Sequence, residues 1–145
     1  METGHRSKRG AALAALAAIA TLAPAAGASA ATLHLTAPKE IDRSEKFKVT
    51  AFGKAKPQRE YRLSVLYQDD DQGRCAPTVE KEVTRNQHYE IFYLRRISTD
   101  ADGRFERRSR KIFGGVKAST GKFCGYLTNE DGENKDTAVR PIEFT

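Results

Sequence analysis

Past residue 30, the side chains best suited to nucleophilic or redox chemistry are Cys75, Cys124, His34 and His88. They are far apart, and no Cys-x-x-Cys, Gly-x-Ser-x-Gly or histidine pair occurs. No redox motif, hydrolase elbow or zinc ligand set is therefore legible. A Ser-His-Asp set assembled in space is not forbidden by chain order, yet each histidine lies on an alternating segment and is expected to be an ordinary strand residue. Asp69, Asp70 and Asp71 precede Gly73. A helix-flanked calcium loop needs acids at alternate positions, glycine at the sixth and glutamate at the twelfth, and here the spacing fails. Asp100 and Asp102 before Gly103 supply too few oxygens. Both stretches are expected to be solvated turns, and no metal or cofactor is implied.

What remains is charge. Arg95, Arg96, Arg104, Arg107, Arg108, Arg110 and Lys111 fall in two neighbouring segments. If those segments pair as strands, alternation gathers Arg104, Arg108 and Arg110 on one outer face, with Arg107 and Lys111 beside them. Such a face suits an anionic polymer, a lipid headgroup surface or an acidic protein partner. It would equally protect a strand edge from aggregation. Nucleic-acid readout is not expected, because the tyrosines and phenylalanines alternate inward as core and leave no stacking platform.

The elements that position these residues follow from the ends and the periodicity. Arg6, Lys8 and Arg9 precede an alanine-rich apolar run, and Ala28-Ser29-Ala30 offers small residues for a signal peptidase. Residues 1–30 are therefore expected to be a signal peptide cleaved between Ala30 and Ala31, giving a secreted protein with no membrane span. The alternative is an uncleaved anchor, which Pro24 and Gly27 disfavour. Residues 31–145 make one domain's worth of chain. The leader holds three of the 25 Lys+Arg and one of the 19 Asp+Glu, so the remainder carries a net +4. In an oxidising compartment Cys75 and Cys124 are expected to form a disulfide; two reduced, buried thiols are the alternative. KFCGYL (122–127) then becomes an inward-facing strand that carries the bridge.

The apolar period is two. Tyr61, Leu63, Val65 and Tyr67 share one face, with Arg62 and Ser64 on the other; Phe47, Val49 and Ala51 behave alike. Half-buried antiparallel strands follow. Asp-Gly pairs at 102–103 and 131–132 mark tight turns. No helix is expected, and Pro141 suggests an edge position. About seven short strands over this length predict an all-β sandwich.

TDADGRF (99–105), a basic strand, and STGKFCGYL (119–127) resemble a phrase of bacterial immunoglobulin-like and fibronectin-III-like modules. TAPKEIDRSEKFKVTAFGKA (36–55) is similar to their opening strands. The resemblance implies an immunoglobulin-like antiparallel β-sandwich. The chain departs from antibody domains: it has no tryptophan, and Lys122 stands where a tyrosine corner would be. The role implied is a secreted, non-catalytic binding or structural module, with its specificity in loops such as residues 68–88. The alternative is a small secreted hydrolase or enzyme inhibitor, for which a deep pocket holding His34 or His88 beside a carboxylate would speak.

Overall fold

The computed structural model describes residues 30–85, 89–113 and 120–145. The signal peptide expected over residues 1–30 lies, apart from Ala30, outside them, as does His88. The described residues form ten strand segments rather than the expected seven or so, and one short helix. Seven segments are five residues or longer: β1 (Thr32–Thr36), β4 (Thr50–Lys54), β5 (Glu60–Asp69), β6 (Tyr89–Ser98), β7 (Arg104–Arg108), β9 (Thr120–Thr128) and β10 (Asn134–Phe144). The other three, β2 (Glu40–Ile41), β3 (Lys46–Phe47) and β8 (Ile112–Phe113), have two residues each. One sheet has the order β1-β4-β7, the other β2-β10-β9-β5-β6, and β3 pairs with β8. The sandwich is not wholly antiparallel, since β2 runs parallel to β10. That pairing covers only Glu143 and Phe144, so Pro141 lies on a stretch of β10 that needs no donor towards β2.

Alternation places the core. In the antiparallel β5–β9 pair, Leu63 meets Leu127, Val65 meets Gly125 and Tyr67 meets Phe123. These face the smaller sheet, which contributes Leu33, Leu35, Ala51 and Phe105. Phe47, Tyr67, Phe123 and Phe144 form an aromatic cluster with centroids 5.5–6.2 Å apart. Edge-to-face rings add roughly 0.5–1.5 kcal/mol per pair beyond the area they bury.

The second face of β5 departs from expectation. Ser64, Leu66 and Gln68 are buried, not solvated. A helix absent from the sequence reading, α1 (Val79–Arg85), lies over them. Val79 and Val83 pack with Leu66, Cys124, Tyr126 and Cys75 in a second, smaller apolar cluster. Cys124 follows Phe123, so it points to the opposite side of β9. Its disulfide to Cys75, with Cα atoms 5.7 Å apart, therefore fixes the helix-bearing segment to the outside of one sheet. The bridge thus belongs to one sheet, and of KFCGYL it is Phe123 and Leu127, not Cys124, that face the space between the sheets. Nor are residues 68–85 an irregular loop: they hold the end of β5, a 3-10 turn at Asp70–Gln72, and α1.

A buried carboxylate locks the segment. Glu82 Oε2 accepts from the Ala76 amide at 2.5 Å. The Tyr126 hydroxyl donates to the Ala76 carbonyl at 2.8 Å, with Glu82 Oε2 3.1 Å away. Oriented to satisfy both its groups, the Gln68 amide donates to Glu82 Oε1 at 2.9 Å and accepts from the Cys75 amide at 3.3 Å. Burial, and then the Glu82 charge, raise the Tyr126 hydroxyl well above its ordinary value near 10. Tyr67, whose hydroxyl donates to Asp69 at 2.9 Å, is raised chiefly by burial as well. The fold thus keeps protons that the unfolded chain releases above pH 10. Stability should fall as pH rises past that value. Denaturant unfolding at pH 8 and pH 10.5 should show a larger drop for the native protein than for Tyr126→Phe; parallel pH profiles would refute the link.

Candidate functional site: a basic groove between sheet edges

The site begins with two chain crossings. β4 passes to the other sheet as β5, and β6 passes back as β7. Their links run side by side, stitched by Ala55 N to Gly103 O at 2.8 Å, Gln58 N to Asp100 O at 3.1 Å and Thr99 N to Arg59 O at 3.0 Å. The buried Thr99 hydroxyl donates to the Lys56 carbonyl at 2.6 Å. Asp100 Oδ1 accepts from the amides of Asp102 and Arg104 at 2.9 and 2.8 Å, and Gly103 takes φ 78°. The Asp-Gly turn is therefore real, but its two strands do not pair. β6 binds β5 in the larger sheet, and β7 binds β4 in the smaller.

Joined at this turn, β6 and β7 separate beyond it. Each is the last strand of its sheet, so a groove opens between two strand edges. One wall is Tyr89–Phe92 with Arg95, and the other is 107–112; the space is about 520 Å³. Consecutive residues on both walls mark the lining as edge rather than face. β6 takes extra residues at bulges opposite Leu63–Leu66. There Leu94 adopts φ 45° and its amide donates to the buried Ser64 hydroxyl at 2.9 Å. Such bulges spoil the edge for addition of another strand.

Ser109 sets the cations in place. It is buried, its amide donates to the Val49 carbonyl at 2.8 Å, and its hydroxyl accepts from the Val49 amide at 2.9 Å. Arg107, Arg108, Arg110 and Lys111 fan out around that anchor, all exposed. Arg108 Nε lies 3.0 Å from Glu106 Oε1, an exposed pair. Such pairs contribute little, roughly 0–1 kcal/mol. No ion pair involving Arg95, Arg107, Arg110 or Lys111 occurs among the described residues.

The expected basic face is thus divided. β7 points Arg104, Glu106 and Arg108 outward from the smaller sheet, in register with Lys54, Phe52 and Thr50 of β4. Arg104 stays near the turn, away from the groove, while Arg107, Arg108, Arg110 and Lys111 line it and Arg95 joins them from the other wall. Arg96 lies outside the groove, 3.4 Å from Glu60 Oε1. The tyrosines are not all core, as the sequence reading held: Tyr89 and Tyr93 are 58% and 46% exposed. His34 is exposed and stacks on Phe52. Asp70 pairs with Lys122 Nζ at 3.2 Å. No group of three His, Cys, Asp or Glu side chains suited to a metal occurs among the described residues. No described helix is long and apolar enough to cross a membrane.

No protein-family model matches the sequence, and no curated relative matches it. Solved structures do resemble the fold. The chain is similar to the CARDB domain of the PF1109 protein from Pyrococcus furiosus, solved in complex with di-metal ions: TM-score 0.50, 8% identity, covering 79% of this chain and 91% of that one. A Niemann-Pick type C2 protein from Japanese carpenter ant gives TM-score 0.47 and 9% identity, covering 83% of this chain and 96% of that one. A β-glucosidase from Listeria innocua, solved in complex with isofagomine, gives 0.47 and 13%, covering 79% of this chain but 16% of that one. At such identities the likeness is one of architecture alone. The chain folds as a mostly-β, two-sheet sandwich consistent with an immunoglobulin-like fold.

Proposed function

We propose that this chain is an exported, non-catalytic binding module, of the immunoglobulin-like and fibronectin-III-like kind found in bacterial proteins, whose ligand is a linear anionic polymer held in the basic groove. One observation carries the reading: Arg95, Arg107, Arg110 and Lys111 converge on a single groove with no ion-pair partner among the described residues. Like charges held together raise the local potential and concentrate anions. The run 107–112 spans at most about 20 Å, so the charges suit a chain of anionic groups better than one small anion. The bulged edge of β6 supports a ligand gripped by side chains rather than an added strand.

Retention on immobilised heparin tests this. The protein should bind at low salt and elute as salt rises, because bound cations displace counterions from a polyanion. The variant Arg107→Ser, Arg110→Ser, Lys111→Ser should bind about ten-fold or more weakly, each exposed charge contributing roughly 0.2–1 kcal/mol. A charge-matched variant at Lys39, Arg59 and Lys81 should elute near the native position. Equal losses in both variants would assign retention to net charge and defeat the proposal.

A further inference from the structure

The outward face of the β1-β4-β7 sheet carries a second, unlike surface. Cross-strand register puts Thr32, Lys54 and Arg104 in one row and His34, Phe52 and Glu106 in the next. The His34 and Phe52 rings stack with centroids 5.3 Å apart and planes inclined by 28°. Phe52 is 37% exposed, although its neighbours on that face are polar or charged. An open depression of about 500 Å³ lies over these side chains. The acids here are already engaged: Asp100 caps its own turn, and Glu106 pairs with Arg108. Lys54 and Arg104 have no ion pair among the described residues. The face is thus a flat aromatic surface with two unneutralised cations beside it.

A pyranose ring presents an apolar C–H face and a rim of polar groups. It therefore matches a flat aromatic surface ringed by hydrogen-bonding side chains. Cations on one side of the rings select a sugar with a carboxylate at that side. We propose that this face is a binding site for an acidic saccharide, with the ring stacked on Phe52 and His34 and the carboxylate held by Lys54 and Arg104. Thr32 and the second carboxylate oxygen of Glu106, the one not taken by Arg108, are placed to meet the sugar hydroxyls. The site shares no argument with the groove. It is centred on the opposite end of β7, at Arg104 rather than at residues 107–111, and it stands or falls independently of polyanion binding there.

NMR titration with galacturonate hexamer, cellohexaose and polyglutamate tests the assignment. Signals of His34, Phe52 and Lys54 should move saturably with the galacturonate hexamer. They should move at least five-fold more weakly with cellohexaose and not at all with polyglutamate. Read at His34 and Lys54, Phe52→Ser should weaken the hexamer response roughly ten-fold, the scale of losing one aromatic stacking partner, while the groove variant leaves the response at those signals unchanged. If Phe52→Ser perturbs folding, Lys54→Ser with Arg104→Ser decides, and should abolish the preference for the acidic over the neutral sugar. Unmoved His34 and Phe52 signals, or equal shifts with polyglutamate, would overturn the proposal. So would a retained uronate preference in the double variant.

Discussion

Replacing Cys75 and Cys124 together by alanine is expected to lower the free energy of unfolding by about 4 kcal/mol, the chain-entropy value for a closed loop of this length. The bridged residues are 49 apart in sequence. A domain of ordinary stability has only about 5–15 kcal/mol in all. The loss should also be local. α1 has seven residues and two valines facing the sheet, too little to hold a helix by itself. Without the bridge it retains the packing of Val79 and Val83 on Leu66 and Tyr126 and the hydrogen bonds of Glu82, Gln68 and Tyr126. Urea unfolding of native and double-alanine proteins gives the magnitude, and hydrogen exchange gives the place. Amides of residues 76–85 should lose protection before those of β5 and β9. A change below about 1 kcal/mol would mean that the helix-bearing segment is held by its packing and polar network and not by sulfur.

Phe123→Ala is expected to cost about 3–5 kcal/mol. Phe123 is fully buried and touches both Phe47 and Tyr67 in the aromatic cluster. It sits on β9 between β10 and β5, where backbone pairing on both sides limits collapse into the space left. Phe123→Leu should cost far less, since it keeps most of the volume. Equilibrium denaturation of the two variants distinguishes them; equal losses would show that ring geometry, not filled volume, governs the site.

These two substitutions probe opposite sides of one strand. That is why the disulfide leaves the sandwich interior to side chains alone. The groove depends on neither. It follows from β6 and β7 ending different sheets, and from Ser109, just past β7, being fastened to Val49, just before β4. Its cations line an open space because the strands that carry them part after the stitched turn.

Much of this was legible in the residues themselves. The alternation of Tyr61, Leu63, Val65 and Tyr67 requires a strand with an apolar face, whatever surrounds it, because a period of two is a property of extended backbone. The glycines after Asp102 and Asp131 stand where positive φ is needed, a local steric matter. The disulfide followed from an even pair of cysteines and an export-like leader. The helix did not follow: Val79 and Val83 are too few to set a period, and both are β-branched. It exists because Leu66, Cys124 and Tyr126 offer it a surface. The same contact made Ser64 and Gln68 buried residues. The partner of the basic strand was equally hidden. Chain proximity and an Asp-Gly turn favour pairing β6 with β7, and only the crossing links around Thr99 send them to separate sheets. Which arginines share a space is thus a tertiary fact, because alternation fixes the face of a strand but not the strand that lies beside it.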